Sequence, residues 1–311
     1  MKKKPKLKKS NRVILYGLFL IIALIVPQLV NDYKVMVIDL GMLMAISVLG
    51  LIVLVNFTGQ ISLGQVAYYA IGSYTAGYCI TQLNINPWIA VLLGSMCAML
   101  LGVMLGVPAF NLKGPFLAII TIGFYEIVNI ILVNWIDVTG GPYGMSSISP
   151  LKIGNMNFSK PVPFYYMTIV IILIIVLAII RIRKSRVGRA MISVMNDEVA
   201  SDMLGVNVRQ IKLVSFGISA FLAGLGGSLF AVFVGYIVPE AFSSGQSSLM
   251  LSMSIVSGAN VILAPIIAVI INALPEMLRS LQEYYLLIFS LILLVFIMFS
   301  AWRQYKNNND F

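Results

Sequence analysis

The 311-residue sequence contains no histidine and only two cysteines. The missing imidazole excludes a serine-histidine-aspartate triad, a histidine metal centre and a histidine proton relay. Cys79 and Cys97 both fall in apolar blocks, at a spacing that suggests neither metal nor redox chemistry. Charge is scarce too: Asp, Glu, Lys and Arg make up 10% of the chain, against roughly 25% in ordinary globular domains. With 60% hydrophobic residues, the chain has too little polar surface to cover a soluble fold. It has no G-x-x-x-x-G-K-[ST] phosphate loop, so any ATP hydrolysis belongs to a partner. Glu126 has no neighbouring Asp or His, which leaves an intramembrane enzyme without a catalytic pair.

What the chain does have is long apolar blocks, such as residues 164 to 180, which carry no charge at all. A helix needs about 20 apolar residues to cross the hydrocarbon of a bilayer. Spans are expected near 13 to 30, 36 to 55, 62 to 82, 88 to 108, 115 to 135, 164 to 180, 213 to 235, 248 to 274 and 284 to 302. The short alternating segments of a β-barrel are absent, so the expected fold is all-α, a polytopic helical bundle of about eight to ten spans in one domain. That domain covers residues 13 to 302, between a basic tail at 1 to 12 and a polar tail at 303 to 311. The first apolar run continues to Val30 without a small-residue cleavage site and reads as a retained span.

The net charge of +10 is distributed by topology and gives no sign of nucleic-acid binding. Seven of the 21 Lys and Arg residues lie in the N-terminal tail, and another seven lie in or beside the loop at 183 to 212. Basic segments stay in the cytoplasm, and the even number of spans between the two clusters places both there, where the tail also meets anionic lipid. The segment 136 to 163 is then outside. A strict count of nine spans puts the C-terminus outside as well, although Arg303 and Lys306 favour the cytoplasm. Gly258, Asn260 and Pro265 suggest that 248 to 274 is instead a half-helix followed by a spanning segment.

Polar residues inside the apolar blocks point to transport. Glu126 stands half-way along its block, where a carboxylate costs roughly 2.5 to 3.5 kcal/mol unless protonated, paired or hydrated. Asn129 follows on the same helical face, and the pair either lines a substrate path or clamps two helices. Gly59 and Gly64 interrupt the stretch 56 to 65 and bring Thr58, Gln60, Ser62 and Gln65 to the membrane, the pattern of a broken or re-entrant helix. Gly59 to Gly77 and Gly217 to Gly235 have the same length and hint at an internal repeat, with close helix packing as the alternative, as at Gly102 and Gly106.

The loop 183 to 212 is too long for a tight turn. Asn196 or Asp197 is placed to cap a short helix, Glu198 lies in its first turn, and Gly205 is suited to end it. Two short helices then form a knob whose apolar residues, among them Met191, Val194, Met195, Val199, Met203 and Leu204, meet the bundle or a partner protein.

Four separated stretches resemble the LivM-type permeases of branched-chain amino acid ABC importers. They are GQISLGQVAYYAIGSYTAGY (59 to 78), KGPFLAIITIGFYEIVNIILVNWIDVTGGPYGM (113 to 145), SRVGRAMISVMNDEVASDMLGVNVRQIKLVSFGISAFLAGLGGSLFA (185 to 231) and the pair PEAF and LPEMLR (239 to 242, 274 to 279). The resemblance implies a multi-pass permease of the bacterial cell membrane with a cytoplasmic N-terminus. It also implies a cytoplasmic coupling helix within 188 to 205 that fits the ATPase, with Gly188, Arg189, Asp197, Glu198, Ala200 and Gly205 as the contact region. Val199 stands where the family has a central Ala. The implied partners are a second homologous permease, two cytosolic ATP-binding subunits that hold the ATP and magnesium, and an extracytoplasmic solute-binding protein; this chain itself carries no cofactor. Nucleotide-driven closure would move the knob as a rigid lever on the helices joined to it. Leucine, isoleucine or valine is the implied cargo, with urea, other amino acids or small amides as alternatives in the same family. An ion-coupled secondary transporter using Glu126 is the reading outside it. The segment SGANVILAPIIA (257 to 268) departs from the family's Gly-Gly-x-Gly-Ser pattern and is shortened.

Overall fold

The computed structural model describes residues 30–277 except positions 110, 111, 113, 155 and 259, with a few isolated positions beyond. The expected spans at 13 to 30 and 284 to 302, and both tails, lie outside the described residues.

Two helices form the centre. α1 (Asp32–Leu51) runs directly into a wider π-turn at Ile52–Asn56, and α8 (Val208–Val234) lies beside it. Neither has a polar face, and each is buried on nearly every side, as an all-round apolar helix must be when other helices surround it. Around them pack α2 (Gln65–Thr81), α3 (Pro87–Ala109), α4 (Pro115–Asn134) and α5 (Pro161–Lys184). Pro115 and Pro161 occupy the first helical position, where a missing N–H costs nothing. Among the described residues, five helices are long and apolar enough to cross a bilayer: Asp32–Asn56, Pro87–Pro108, Pro115–Asn134, Pro161–Lys184 and Val208–Val234.

The bundle has two distinct ends. α5 leads into a knob of two short helices, α6 (Arg186–Asn196) and α7 (Glu198–Met203), from which α8 returns. At the other end a cap built from residues 135–160 closes over the helices. It contains one helical turn at Ile136–Thr139 and a two-stranded hairpin, Lys152–Ile153 with Met156–Asn157, that was not anticipated. Trp88 anchors the hairpin, donating from Nε1 to the carbonyl of Lys152 at 3.1 Å. Met145 and Ile237 exchange two backbone hydrogen bonds of 2.8 Å, clipping the cap to the chain leaving α8.

Two spans are interrupted. The chain leaving α1 is non-helical from 59 to 64, and α2 begins only at Gln65, which reaches Ser47 and Ser219, well inside the bundle. The chain leaving α8 turns at Gly235 and descends past Phe242 before α9 (Ser244–Ser257) runs to the knob end, where Asn56 Nδ2 meets the carbonyl and Oγ of Ser254 at 3.1 and 3.2 Å. The block expected at 248 to 274 is thus two helices, α9 and α10 (Leu263–Met277), broken at Gly258. α10 runs back along α1, its Asn272 amide at the carbonyl of Val37.

The suggested repeat of 59 to 77 with 217 to 235 does not hold, because the first contains a break and the second lies within one continuous helix up to its cap. The two glycine sets instead face each other. A Cβ on Gly72 would strike the backbone of Gly224, and one on Gly227 the carbonyl of Tyr69. Ser73 Oγ and Ser228 Oγ then donate across the contact to the carbonyls of Gly227 and Gly72 at 2.8 and 2.9 Å. Backbones approach this closely only where side chains are absent.

Candidate functional site

The site grows from the two interruptions, whose following helices begin next to each other. The amide of Val66, in the first turn of α2, donates to Ser247 Oγ of α9 at 3.0 Å. The amide of Leu63 donates to Thr121 Oγ1 of α4 at 3.0 Å, and Tyr125 Oη of α4 donates to the carbonyl of Phe242 at 2.9 Å. One helix, α4, therefore holds both broken segments.

Within this junction the sequence-expected residues separate into two kinds. Gln65 is a clamp: its Nε2 donates to the carbonyls of Ser47 and Ser219 at 3.2 and 3.3 Å, and its Oε1 accepts from Ser219 Oγ at 3.2 Å. Ser62 is buried, with its Oγ accepting from the amide of Gly64 at 3.4 Å. Gln60 is buried with neither amide atom partnered among the described residues. Glu126 is different. It sits on the open side of α4 in line with Gly123, where no described residue would come within 4 Å of an added Cβ, while Asn129 is half-buried. A carboxylate on an apolar helix is expensive if lipid covers it, whereas the exposed neighbours Ile119, Ile122, Ile127 and Ile130 on the same helix are apolar.

Sequence reasoning missed the first turn of α9. Ser243, Ser244, Gly245 and Ser248 are exposed, and the helix has no side-chain cap. The only available signal was a run of four serines and a glycine within SSGQSS.

The knob is a second site. Ser185 caps α6, accepting from the amide of Gly188 at 3.2 Å, and Gly188 lies so close to the end of α5 that any side chain would strike the backbone of Ile182 and Arg183. Arg189 Nη1 donates to the carbonyl of Lys184 at 3.1 Å. Asp197, rather than Asn196, caps α7, its Oδ1 accepting from Val199 and Ala200 at 2.9 and 3.1 Å. Gly205 ends this part of the knob with φ +81°. Ser193 and Ser201 join the two helices through a 2.8 Å hydroxyl contact, and Glu198 pairs with the buried Lys212 of α8 at 2.7 Å. Gly188 and Glu198 thus hold the knob to the bundle, whereas Ala200, Asp197 and Arg189 are exposed. The apolar residues divide in the same way. Met191 and Val194 are buried, while Val199, Met203 (83% exposed) and Leu204 (81% exposed) form an outward patch.

Apolar spans interrupted by polar segments that meet inside the bundle are the architecture of a membrane permease. The chain belongs to the family described as branched-chain amino acid transport system / permease component, whose model matches residues 34–298. It is 32% identical over 308 residues to the high-affinity branched-chain amino acid transport system permease protein LivM of Escherichia coli, covering 91% of this chain and 72% of that one. LivM of Salmonella typhimurium is 31% identical over the same shares. The permease protein LivH of Escherichia coli is 26% identical over 263 residues, covering 78% of this chain and 83% of LivH. No solved structure matches the chain.

Proposed function

We propose that this chain is the membrane-spanning subunit of an ATP-driven importer of leucine, isoleucine or valine. The knob end faces the cytoplasm with the basic tail, and the cap end faces a solute-binding protein outside. Two cytosolic ATP-binding subunits, which hold the ATP and magnesium, dock on the knob of this chain and of a second homologous permease. The single observation that carries the transport route is the open side of α4, where no described residue covers Glu126 and Gly123, on the helix whose Tyr125 holds the chain entering α9. Substrate passes between this side and the second permease, with Glu126 and Asn129 on the path. Gln65 and Ser62 keep the broken segment in place behind it.

The knob supports an ATPase as the source of energy. Capping at both helices and an ion pair to α8 make it rigid, and its uncovered residues Val199, Met203 and Leu204 are apolar, as a docking surface requires. Vesicles containing the chain with its permease and ATP-binding partners should accumulate isoleucine only when ATP is supplied inside. Accumulation driven by an ion gradient in ATP-depleted vesicles would instead support a secondary transporter working through Glu126, and accumulation of urea without isoleucine would reassign the cargo.

A further inference from the structure

We propose that the knob acts on the membrane through the end of the first broken span, from Phe57 into the non-helical stretch at 59 to 64, with Met195 and Arg183 as positioning residues, and not solely through the helices fused to it. This rests on the reading of the knob as the ATPase contact. Gly59 has φ +72°, and its bare backbone faces Met195: a Cβ built there would stand 3.4 Å from Met195 Cγ and 3.9 Å from Met195 Cα. The guanidinium carbon of Arg183, at the end of α5, lies 5.5 Å from the centroid of the Phe57 ring. Both contacts fall where the stretch begins. Its far end is held by other elements, with Leu63 bonded to Thr121, Gln65 to Ser47 and Ser219, and Val66 to Ser247.

A segment gripped at one end by the knob and at the other by the transport junction transmits displacement between them. Met195 is half exposed, so it stands at the knob surface while its Cγ and Cα face the bare backbone of Gly59, with no side chain at 59 between them to absorb a push. Gln60 is the side chain that such a displacement would re-seat. Its amide nitrogen and oxygen are both buried and unpartnered among the described residues, whereas buried side-chain amides are nearly always bonded. A backbone shift starting at the left-handed Gly59 would give these atoms partners in the alternative state. The two-state element is therefore the stretch itself, biased by the knob.

The test uses the full chain assembled with its ATP-binding and permease partners in vesicles. The background carries Cys79→Ala and Cys97→Ala, with Ile61→Cys as reporter, since Ile61 is 40% exposed. Maleimide labelling at position 61 is timed without nucleotide and with trapped ATP. The rate should change about fivefold between the two states, and the change should shrink to under about twofold in Met195→Ala and in Arg183→Gln, while ATPase co-purification and basal hydrolysis persist. Labelling that ignores nucleotide in the parent overturns the proposal. So does an undiminished response in both variants, which would route the motion through α5 and α8 alone. A parent chain that retains no ATPase overturns the reading of the knob itself, a distinct failure. Should Met195→Ala not insert, Met195→Leu together with Arg183→Gln carries the same comparison.

Discussion

Lys212 Nζ lies 2.7 Å from Glu198 Oε1, joining the knob to the long central helix α8 at a point where the lysine is buried. Removing one partner of such a pair leaves an uncompensated charge, at a cost of about 3 kcal/mol. Glu198→Ala should therefore lower the unfolding midpoint in detergent and loosen the knob, releasing the ATP-binding subunit on purification. Glu198→Ala combined with Lys212→Met removes both charges and should recover most of the stability but not the coupling. Equal stability of the single and double variants would show that the pair is not holding the knob.

Gly188 and Gly123 offer a contrast in glycine chemistry. Alanine at 188 must displace the backbone of Ile182 and Arg183, which side-chain rotation cannot relieve, so Gly188→Ala should cost upwards of about 1 to 3 kcal/mol and abolish ATP-coupled uptake. Gly123→Ala meets no described residue within 4 Å and should leave the isolated chain as stable as before. Assembly with the second permease is where it should tell, as weaker recovery of the complex by size-exclusion chromatography. A Gly123→Ala complex of normal stability would place the permease interface elsewhere.

Gln65 joins residues that are 18 and 154 positions away in sequence, tying α1 and α8 to the start of α2. Gln65→Leu removes all three bonds and leaves Ser219 Oγ without this acceptor, a loss of about 1 to 3 kcal/mol. Ser219→Ala should cost less, and the double variant less than the sum, because both changes break the same bond. Additive losses in a thermal unfolding series would show that the two side chains act independently.

These long-range partners explain what was legible in the sequence and what was not. Uninterrupted apolar blocks such as 164 to 180 correspond to full-length helices because nothing in them competes with the helix. The breaks at 59 to 64 and 258 announced themselves through glycine and polar residues, and the knob through its capping residues. The second interruption, past Gly235, was hidden because its residues are mostly apolar and its shape is set by pairing of Ile237 with Met145, a partner 92 positions away. Each strand of the cap hairpin has two residues, too short for an alternating pattern to show. At the site, Gln60, Ser62 and Gln65 share one polar run, so only the structure separates the clamp Gln65 from Gln60, whose amide is unpartnered among the described residues.

Glu126 decides whether the open side of α4 is a transport route or merely an exposed surface, because only the first reading predicts that one stabilising substitution costs uptake. In the isolated chain, a leucine at 126 replaces a carboxylate on an apolar helix that no other described element covers, so Glu126→Leu should raise the unfolding free energy in lipid by up to about 2.5 kcal/mol. In the assembled importer the same change removes a polar group from the path, so ATP-driven isoleucine uptake should fall by about tenfold or more while subunit stoichiometry and basal ATP hydrolysis stay unchanged. Glu126→Gln keeps hydrogen bonding without charge and should fall between the two in uptake. Gain of stability together with loss of transport is the signature of a path residue. Glu126→Leu with parental uptake would remove the residue, and with it this side of α4, from the route.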